Sequence, residues 1–369
     1  MEVIHIVGTR PHFIKLKPVF SELHNLGINQ CIFHTGQHYD YEMSRIFFEE
    51  LQIPEPDYYL GVGSGTHGYQ TGEMIKRIED LLLSKRPKLV IVYGDTNSTL
   101  AGAIAAVKSG ISVGHVEAGP RYPSHYSTKN IEALEPEQIN RQLVDHVSTF
   151  LFAPTKNSVR NLKREGISDS RIFHTGDTML DTYQKATKYV KHKFSEIQEY
   201  LNIEQHEYIL VTLHRPKNVD NPNALKEILN ALNSAPLRVV FPVHPRTRKT
   251  INNLNTSFSN ILFIKPVGYL TFISLIKHAR LVVTDSGGVQ KEAFFSKVPC
   301  LTLKPESEWV ELIEAGANRL VGWTPPKEKL LDSIDTVLTS TQRIKWNLKI
   351  FGNGKAGKTI ASILRRELE

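Results

Sequence analysis

The chain has 369 residues with apolar side chains at 40% of positions, the composition of a soluble globular protein and more than one ordinary core accommodates, so two domains are expected. Its net charge is +7, yet Lys and Arg are dispersed with no dense basic block and no RNA-binding aromatic motif, which sets nucleic acid aside in favour of a small anionic substrate. No apolar run is long enough to span a membrane, no signal or transit pattern is present, and Cys31 and Cys300 sit in apolar runs as inert core thiols do; the expectation is a cytoplasmic, reducing location without a membrane partner.

In chain order, the runs "VIHIVG", "QCIFHTG", "KLVIVYG", "SVGHVEAG", "TFLFAPT" and "RIFHTG" read as strands, followed by "YILVTLHR", "RVVFPVHP", "ILFIKPVG", "LVVTDSGG", "VPCLTLK" and "RLVG". They are near-continuously apolar rather than alternating, as parallel strands buried on both faces are. Amphipathic stretches separate them, so the pattern is strand, helix, strand throughout: an α/β chain of two Rossmann-like, doubly wound domains. A polar, lysine- and tyrosine-rich piece divides the list in half. The expected boundaries are 1–178 for the first domain, 179–204 for a linking segment and 205–350 for the second domain. The stretch "GVGSGTHG", residues 61 to 68, has GxG spacing but follows a Pro- and Tyr-rich segment instead of a buried strand, and reads as a loop.

Polar and glycine residues gather where strands end: Gly8, Thr9 and Arg10; Gly36, Gln37 and His38; Gly94, Asp95 and Thr96; His115, Glu117 and Gly119. The second half repeats this with His214 and Arg215, His244 and Arg246, Gly268, and Asp285 to Gly288. Ligands of open parallel sheets bind outside the carboxyl ends of the strands, so two such sheets facing one cleft would line it with these groups. In "TDSGGVQKEA", Ser286, Gly287 and Gly288 stand between a strand and a helix that carries Glu292, the arrangement of a phosphate cradle at a helix N-terminus and equally that of a plain turn. In "GTRPHFIK", Arg10 and Lys15 supply charge for a diphosphate. Asp95, Glu117 and Glu137 are carboxylates suited to acid and base work, with His214 beside them only if the cleft closes; each taken alone is equally a helix cap or structural group. The histidines lack metal-ligand spacing, so no metal and no cofactor is expected. Near the C-terminus "GNGKAGKT", residues 352 to 359, fits the P-loop pattern, but no buried strand precedes it and little chain follows; it reads as a glycine turn opening a last helix.

The ordered segments "GTRPHFIKLKPV", "HTGQHYD", "YGDTNSTLAGAIAA", "GHVEAG", "PEQINR", "FAPT", "TGDTMLD", "TLHR", "PVHPRT", "TDSGGVQKEA" and "GANRLVG" together resemble the UDP-N-acetylglucosamine 2-epimerase family over nearly the whole chain. The resemblance implies a GT-B arrangement, usually homodimeric, with the last helix, about residues 353–369, returning to the first domain. It implies non-hydrolysing inversion at C2 of a UDP-N-acetyl sugar, through elimination of UDP to a 2-acetamidoglucal and re-addition. By match to motif, Arg10, Lys15, His214, Ser286, Gly287 and Glu292 would form the nucleotide-diphosphate shell, with Gly288 and His244 in the binding set. Asp95, Glu117 and Glu137 would lie on the sugar side, and Arg141 in the phosphate or carboxylate network. His214 would bind or protonate the leaving phosphate oxygen. Of the regulatory second UDP-sugar site of many bacterial members, Gln37 and His38 alone are matched. The chain departs from the family pattern at Pro120 in "EAGPR" and at Gln138 in "PEQ", both beside the sugar pocket, and "SEWVELIEAGAN" is similar to the branch acting on UDP-2,3-diacetamido-glucuronic acid. A hydrolysing 2-epimerase, a GT-B glycosyltransferase and a non-catalytic nucleotide-sugar binder are the competing readings.

Overall fold

The computed structural model describes residues 2–37, 44–126, 135–254, 256–341 and 343–368. The chain divides into two compact units, residues 1–184 with 349–369, and residues 185–348. In unit 1 the strands are β1 Glu2–Val7, β2 Asn29–His34, β3 Tyr58–Tyr59, β4 Leu89–Tyr93, β5 Ser112–Val116, β6 Phe150–Ala153 and β7 Ile172–His174, all parallel in the order β3-β2-β1-β4-β5-β6-β7. Unit 2 holds β8 Tyr208–Thr212, β9 Arg238–Pro242, β10 Ile261–Ile264, β11 Leu281–Thr284, β12 Cys300–Thr302 and β13 Asn318–Leu320, again parallel, in the order β10-β9-β8-β11-β12-β13. Both sheets therefore carry the doubly wound 3-2-1-4-5-6 order, and each has a switch point beside its first strand, between β1 and β4 and between β8 and β11.

The apolar runs account for this. All of β4, Leu-Val-Ile-Val-Tyr, is buried, because helices cover both faces of the sheet. The helix Asn97–Lys108 lies close on the sheet with Ala101, Ala103, Ala105 and Ala106 buried, small side chains that let its backbone approach. In unit 2, Val211, Phe241, Val283 and Leu301 of the strands pack with Leu225, Ile228, Leu229 and Leu232 of the helix Pro222–Asn233 and with Leu330 and Ile334. The twelve runs read as strands are all strands. The thirteenth strand, β3, is two residues within the Pro- and Tyr-rich segment, too short to leave a periodic signal.

The stretch expected as a link is helical: Thr178–Ala186, then Val190–Leu201, with Val190, Phe194 and Leu201 buried in unit 2. The last helix, Ala356–Leu368, packs in unit 1 on the helix Arg10–Asn25. Its entry is set by Asp181, whose carboxylate accepts hydrogen bonds from the Ala356 N–H at 3.1 Å and the Gly357 N–H at 2.9 Å. Gly357 is required at this crossing, since a Cβ there would stand 2.6 Å from the Pro18 carbonyl. Lys358 and Thr359 point to solvent. The P-loop lookalike thus opens a helix whose N-terminus the protein's own carboxylate occupies, with its lysine exposed, and no phosphate cradle forms.

Candidate active site

The β1–β4 switch point of unit 1 gathers a cluster of charges. Arg10 is the first residue of the helix after β1, with its guanidinium 5.2 Å from the Phe47 ring. One turn further, Lys15 turns inward and is 5% exposed; its Nζ donates to Glu117 Oε1 at 3.0 Å. Arg141 is 1% exposed, bonds the Asp95 carboxylate through Nη2 and places the same atom 3.6 Å from Glu117 Oε1. Two cations and two carboxylates thus balance at the ends of β4 and β5. Each buried member needs the others, because a buried charge that loses its partner costs several kcal/mol, about 3–5 in measured cases.

The helix Pro136–Val147 supplies the cationic member and braces the rest. Glu137, Arg141 and Asp145 are spaced four apart and so share one helical face. Glu137, at the first turn, is half-buried. Asn140 donates to the Asp95 carbonyl at 3.0 Å and to Asn97 Oδ1 at 3.2 Å. Gln138, where the family pattern differs, accepts from the Tyr122 N–H at 3.3 Å, and Tyr122 donates from its hydroxyl to Glu135 at 2.6 Å. At the end of β2, Gln37 accepts from the Ser98 hydroxyl at 2.7 Å, and Ser98 in turn meets Thr35 at 2.8 Å. His38 lies outside the described residues.

Unit 2 answers with a different chemistry at its own switch point. Asp285, at the end of β11, is fully buried. Its carboxylate accepts from the backbone N–H groups of His214 and Arg215 at 3.2 and 3.0 Å and from Asn218 Nδ2 at 3.1 Å, and it faces His214 Nδ1 at 3.0 Å. Burial by itself would push this carboxyl up; the His214 ring, with the hydrogen bonds from His214, Asn218 and the Arg215 backbone, outweighs it and leaves the pKa at about 2. The ionised carboxylate fixes the Nδ1–H tautomer of His214, whose side chain is 42% exposed, and leaves Nε2 to take or give a proton.

Beside it, Ser286 caps the helix Gly287–Phe295, accepting from the Val289 N–H at 3.5 Å. Gly287 is buried and Gly288 half-buried in the first turn, where the backbone N–H groups of a helix have no intrahelical acceptor. The Glu308 carboxylate lies where a side chain on Gly287 would go, so a larger residue there would have to displace it. Glu292 follows on the same helix, 2% exposed. Its sequence neighbour Lys291 places Nζ 4.2 Å from the centre of the buried Trp309 ring, and Lys304 lies 3.7 Å from Glu308. His244 is half-buried after β9.

Asp95, Glu117, Arg141 and Lys15 therefore meet in unit 1, with Glu137 on the same helix as Arg141. Lys15, expected beside a diphosphate, is engaged with Glu117. In unit 2, His214 and the Ser286–Gly288 turn adjoin through Asp285, with Glu292 one turn beyond. Sequence reading passed over Asp145, Asn140 and Glu308. The first two carry a signal, their place on a helix with Glu137 and Arg141; Glu308 is remote in sequence from Gly287 and carries none. Among the described residues no group of three or more His, Cys, Asp or Glu is placed to hold a metal ion.

A family model described as UDP-N-acetylglucosamine 2-epimerase matches residues 21–365. A UDP-N-acetylglucosamine 2-epimerase homolog of Methanococcus maripaludis is 46% identical, covering 99% of both chains. The UDP-2,3-diacetamido-2,3-dideoxy-D-glucuronate 2-epimerase of Pseudomonas aeruginosa is 43% identical over 99% of this chain and 100% of its own. Among solved structures, the Methanocaldococcus jannaschii UDP-GlcNAc 2-epimerase in complex with UDP-GlcNAc and UDP superposes with a TM-score of 0.90 at 44% identity, covering 99% of this chain and 100% of that one.

Proposed function

Because the chain belongs to the UDP-N-acetylglucosamine 2-epimerase family, a family of isomerases, we propose that it inverts C2 of UDP-N-acetylglucosamine without hydrolysis. The C2 proton has no neighbouring carbonyl to stabilise a carbanion, so direct deprotonation is too slow. In the proposed path a carboxylate removes that proton while the C1–O bond breaks, UDP leaves with the bonding electrons, and a C1=C2 double bond remains. Re-addition of a UDP oxygen to C1 and of a proton to the other face of C2 gives the UDP-N-acetylmannosamine product, with no water consumed.

One observation carries this reading: a carboxylate, Glu117, held at a strand end between Lys15 and Arg141, with Asp95 sharing the arginine. Two carboxylates with fixed cations are suited to accepting and returning protons. The first turn at Ser286–Gly288, with His214 oriented by Asp285, suits a diphosphate on which negative charge builds as C1–O breaks. Glu292 fits the ribose hydroxyls, Arg10 and His244 the anionic tail, and Glu137 the sugar. The nucleotide-sugar substrate accords with a cytoplasmic location. A homodimer accords with the exposed Leu83, Val107 and Leu143, at 58%, 38% and 47%, on three helices that pack side by side, His67–Lys85, Asn97–Lys108 and Pro136–Val147.

The test is proton NMR of UDP-N-acetylglucosamine with the protein in heavy water, with free UDP followed in the same tube. Deuterium at C2 as the UDP-manno epimer grows is the expected result. Stoichiometric release of UDP with free N-acetylmannosamine would replace it with hydrolytic epimerisation. The 43% identity to the Pseudomonas aeruginosa enzyme makes UDP-2,3-diacetamido-2,3-dideoxy-glucuronate the second substrate; turnover of that compound alone would move the assignment to its branch.

A further inference from the structure

Glu117 stands in an unusual backbone. Its φ is +75°, a left-handed conformation that favours glycine, and its N–H and that of Ala118 both reach the single carbonyl of Phe152 on β6, each at 3.2 Å. Two residues facing one is a β-bulge, which turns the strand and re-aims the side chain. Such a conformation persists only where its surroundings over-determine it.

The surroundings converge on one group. Asp145 is fully buried and takes no part in the charge cluster of Lys15, Glu117, Arg141 and Asp95. One oxygen faces His115 Nδ1 at 2.6 Å, two residues before Glu117; the other accepts from the Gly119 N–H at 3.0 Å, two residues after it, and from Arg121 at 2.8 Å. His115 Nε2 lies 2.7 Å from the Gly94 carbonyl, next to Asp95. His115 thus bridges the Asp145 carboxylate and the Gly94 carbonyl through its two ring nitrogens. Arg121 closes the network on Glu165 with a bidentate pair at 2.8 and 2.9 Å.

We propose that Asp145 is a positioning residue for the epimerisation, holding the bulge at Glu117 from both sides and, through His115, registering the Gly94–Asp95 turn against it. The shared face of the helix Pro136–Val147 makes this efficient: Arg141 binds the two carboxylates directly, and Asp145, one turn on, holds the backbone that carries them. The inference rests on the proposed reaction for its kinetic readout.

The experiment compares wild type with Asp145→Asn, which keeps the shape and removes the charge. Expected is a fall in kcat of about a hundredfold with KM and UDP affinity within about threefold, since geometry at the reacting atoms is lost and binding is not. A crystal structure of the variant should show Glu117 leaving its left-handed conformation and the Lys15 contact lengthening. A folded Asp145→Asn protein with wild-type kcat, or with Glu117 unmoved, overturns the proposal. Should that variant fail to fold, His115→Gln leaves the Asp145–Arg121 pair intact and puts an amide nitrogen where ring Nε2 was, so the Gly94 contact survives and the Asp145 link is lost. A kcat reduced by about tenfold or more at unchanged KM supports the proposal, and an unchanged kcat overturns it. A wild-type protein inert on both UDP-sugars would sink the proposed reaction instead, while the crystallographic arm still decides whether Asp145 sets the Glu117 backbone.

Discussion

The two switch points are built alike in backbone and opposite in side chains. At β1–β4 the strand ends are crowded with charged groups that pair with one another, Lys15, Glu117 and Arg141 buried and Asp95 part-exposed. At β8–β11 the turn after the strand holds small residues, Ser286, Gly287 and Gly288, and the buried carboxylate of Asp285 orients backbone and a half-exposed histidine. The first arrangement fixes two carboxylates between two cations; the second leaves first-turn helix N–H groups without intrahelical acceptors. In the proposed reaction, one fold used twice would separate the moving of protons from the holding of charge.

The sharpest way to break that division is Glu117→Gln. The amide still accepts from Lys15 but cannot take a proton, so turnover should fall by about a thousandfold or more while UDP affinity stays within about tenfold. Steady-state kinetics beside calorimetric titration with UDP reads both. Equal loss of rate and affinity would place Glu117 in structure and dissolve the contrast.

The reciprocal change is Gly287→Ala. Its Cβ would overlap the Glu308 carboxylate, and relief requires moving either Glu308 or the first turn of the helix. UDP affinity should drop by roughly tenfold to a hundredfold, the scale of losing one or two charge-assisted hydrogen bonds, while kcat at saturation changes less. Titration of the variant with UDP checks this, and unchanged affinity would show that the turn does not carry the diphosphate.

A smaller effect reads Asp285 by pH. Asp285 ionises at about 2 in the fold against a reference value of 3.8. A depressed carboxyl contributes stability that is fully present above the unfolded value and is lost as pH falls through the folded one, so the window is about pH 4 down to 2. The difference amounts to roughly 2 kcal/mol. Denaturant midpoints across that range should fall with acid in the wild type, and the fall should be shallower in Asp285→Asn; parallel curves would contradict the assignment of the loss to Asp285.

How much of this was legible follows from the physics of each signal. Strands buried on both faces announce themselves as apolar runs, which is why twelve could be read and the two-residue β3 could not. Asp95, Glu117, His214 and the Ser286–Gly288 turn were visible because they follow such runs. Which of them meet was not visible: Lys15 lies 102 positions from Glu117, and charge alone does not say whether a lysine faces a diphosphate or a carboxylate. Asp145 was legible only by place, four residues after Arg141 on the same helical face; nothing in a sequence marks a residue whose work is to hold another residue's φ.

The smallest expected effect concerns the segment that most resembles a nucleotide loop. Lys358→Ala should leave epimerisation, UDP affinity and melting temperature near wild type, because the side chain is exposed and substitutions of that kind stay within about 0.5 kcal/mol. Its neighbour Asp181 gives the control. That carboxylate holds the Ala356 and Gly357 N–H groups, and Asp181→Ala removes a helix cap worth about 1 kcal/mol, with more to follow if the last helix loosens from the helix Arg10–Asn25 that carries Lys15. Thermal melts and activity for the two variants therefore ask one question of one loop. Loss in Asp181→Ala with none in Lys358→Ala marks the glycine loop as a structural joint; loss of activity in a stably folded Lys358→Ala protein would make it part of the anion-binding machinery and put a second charge-holding turn in unit 1.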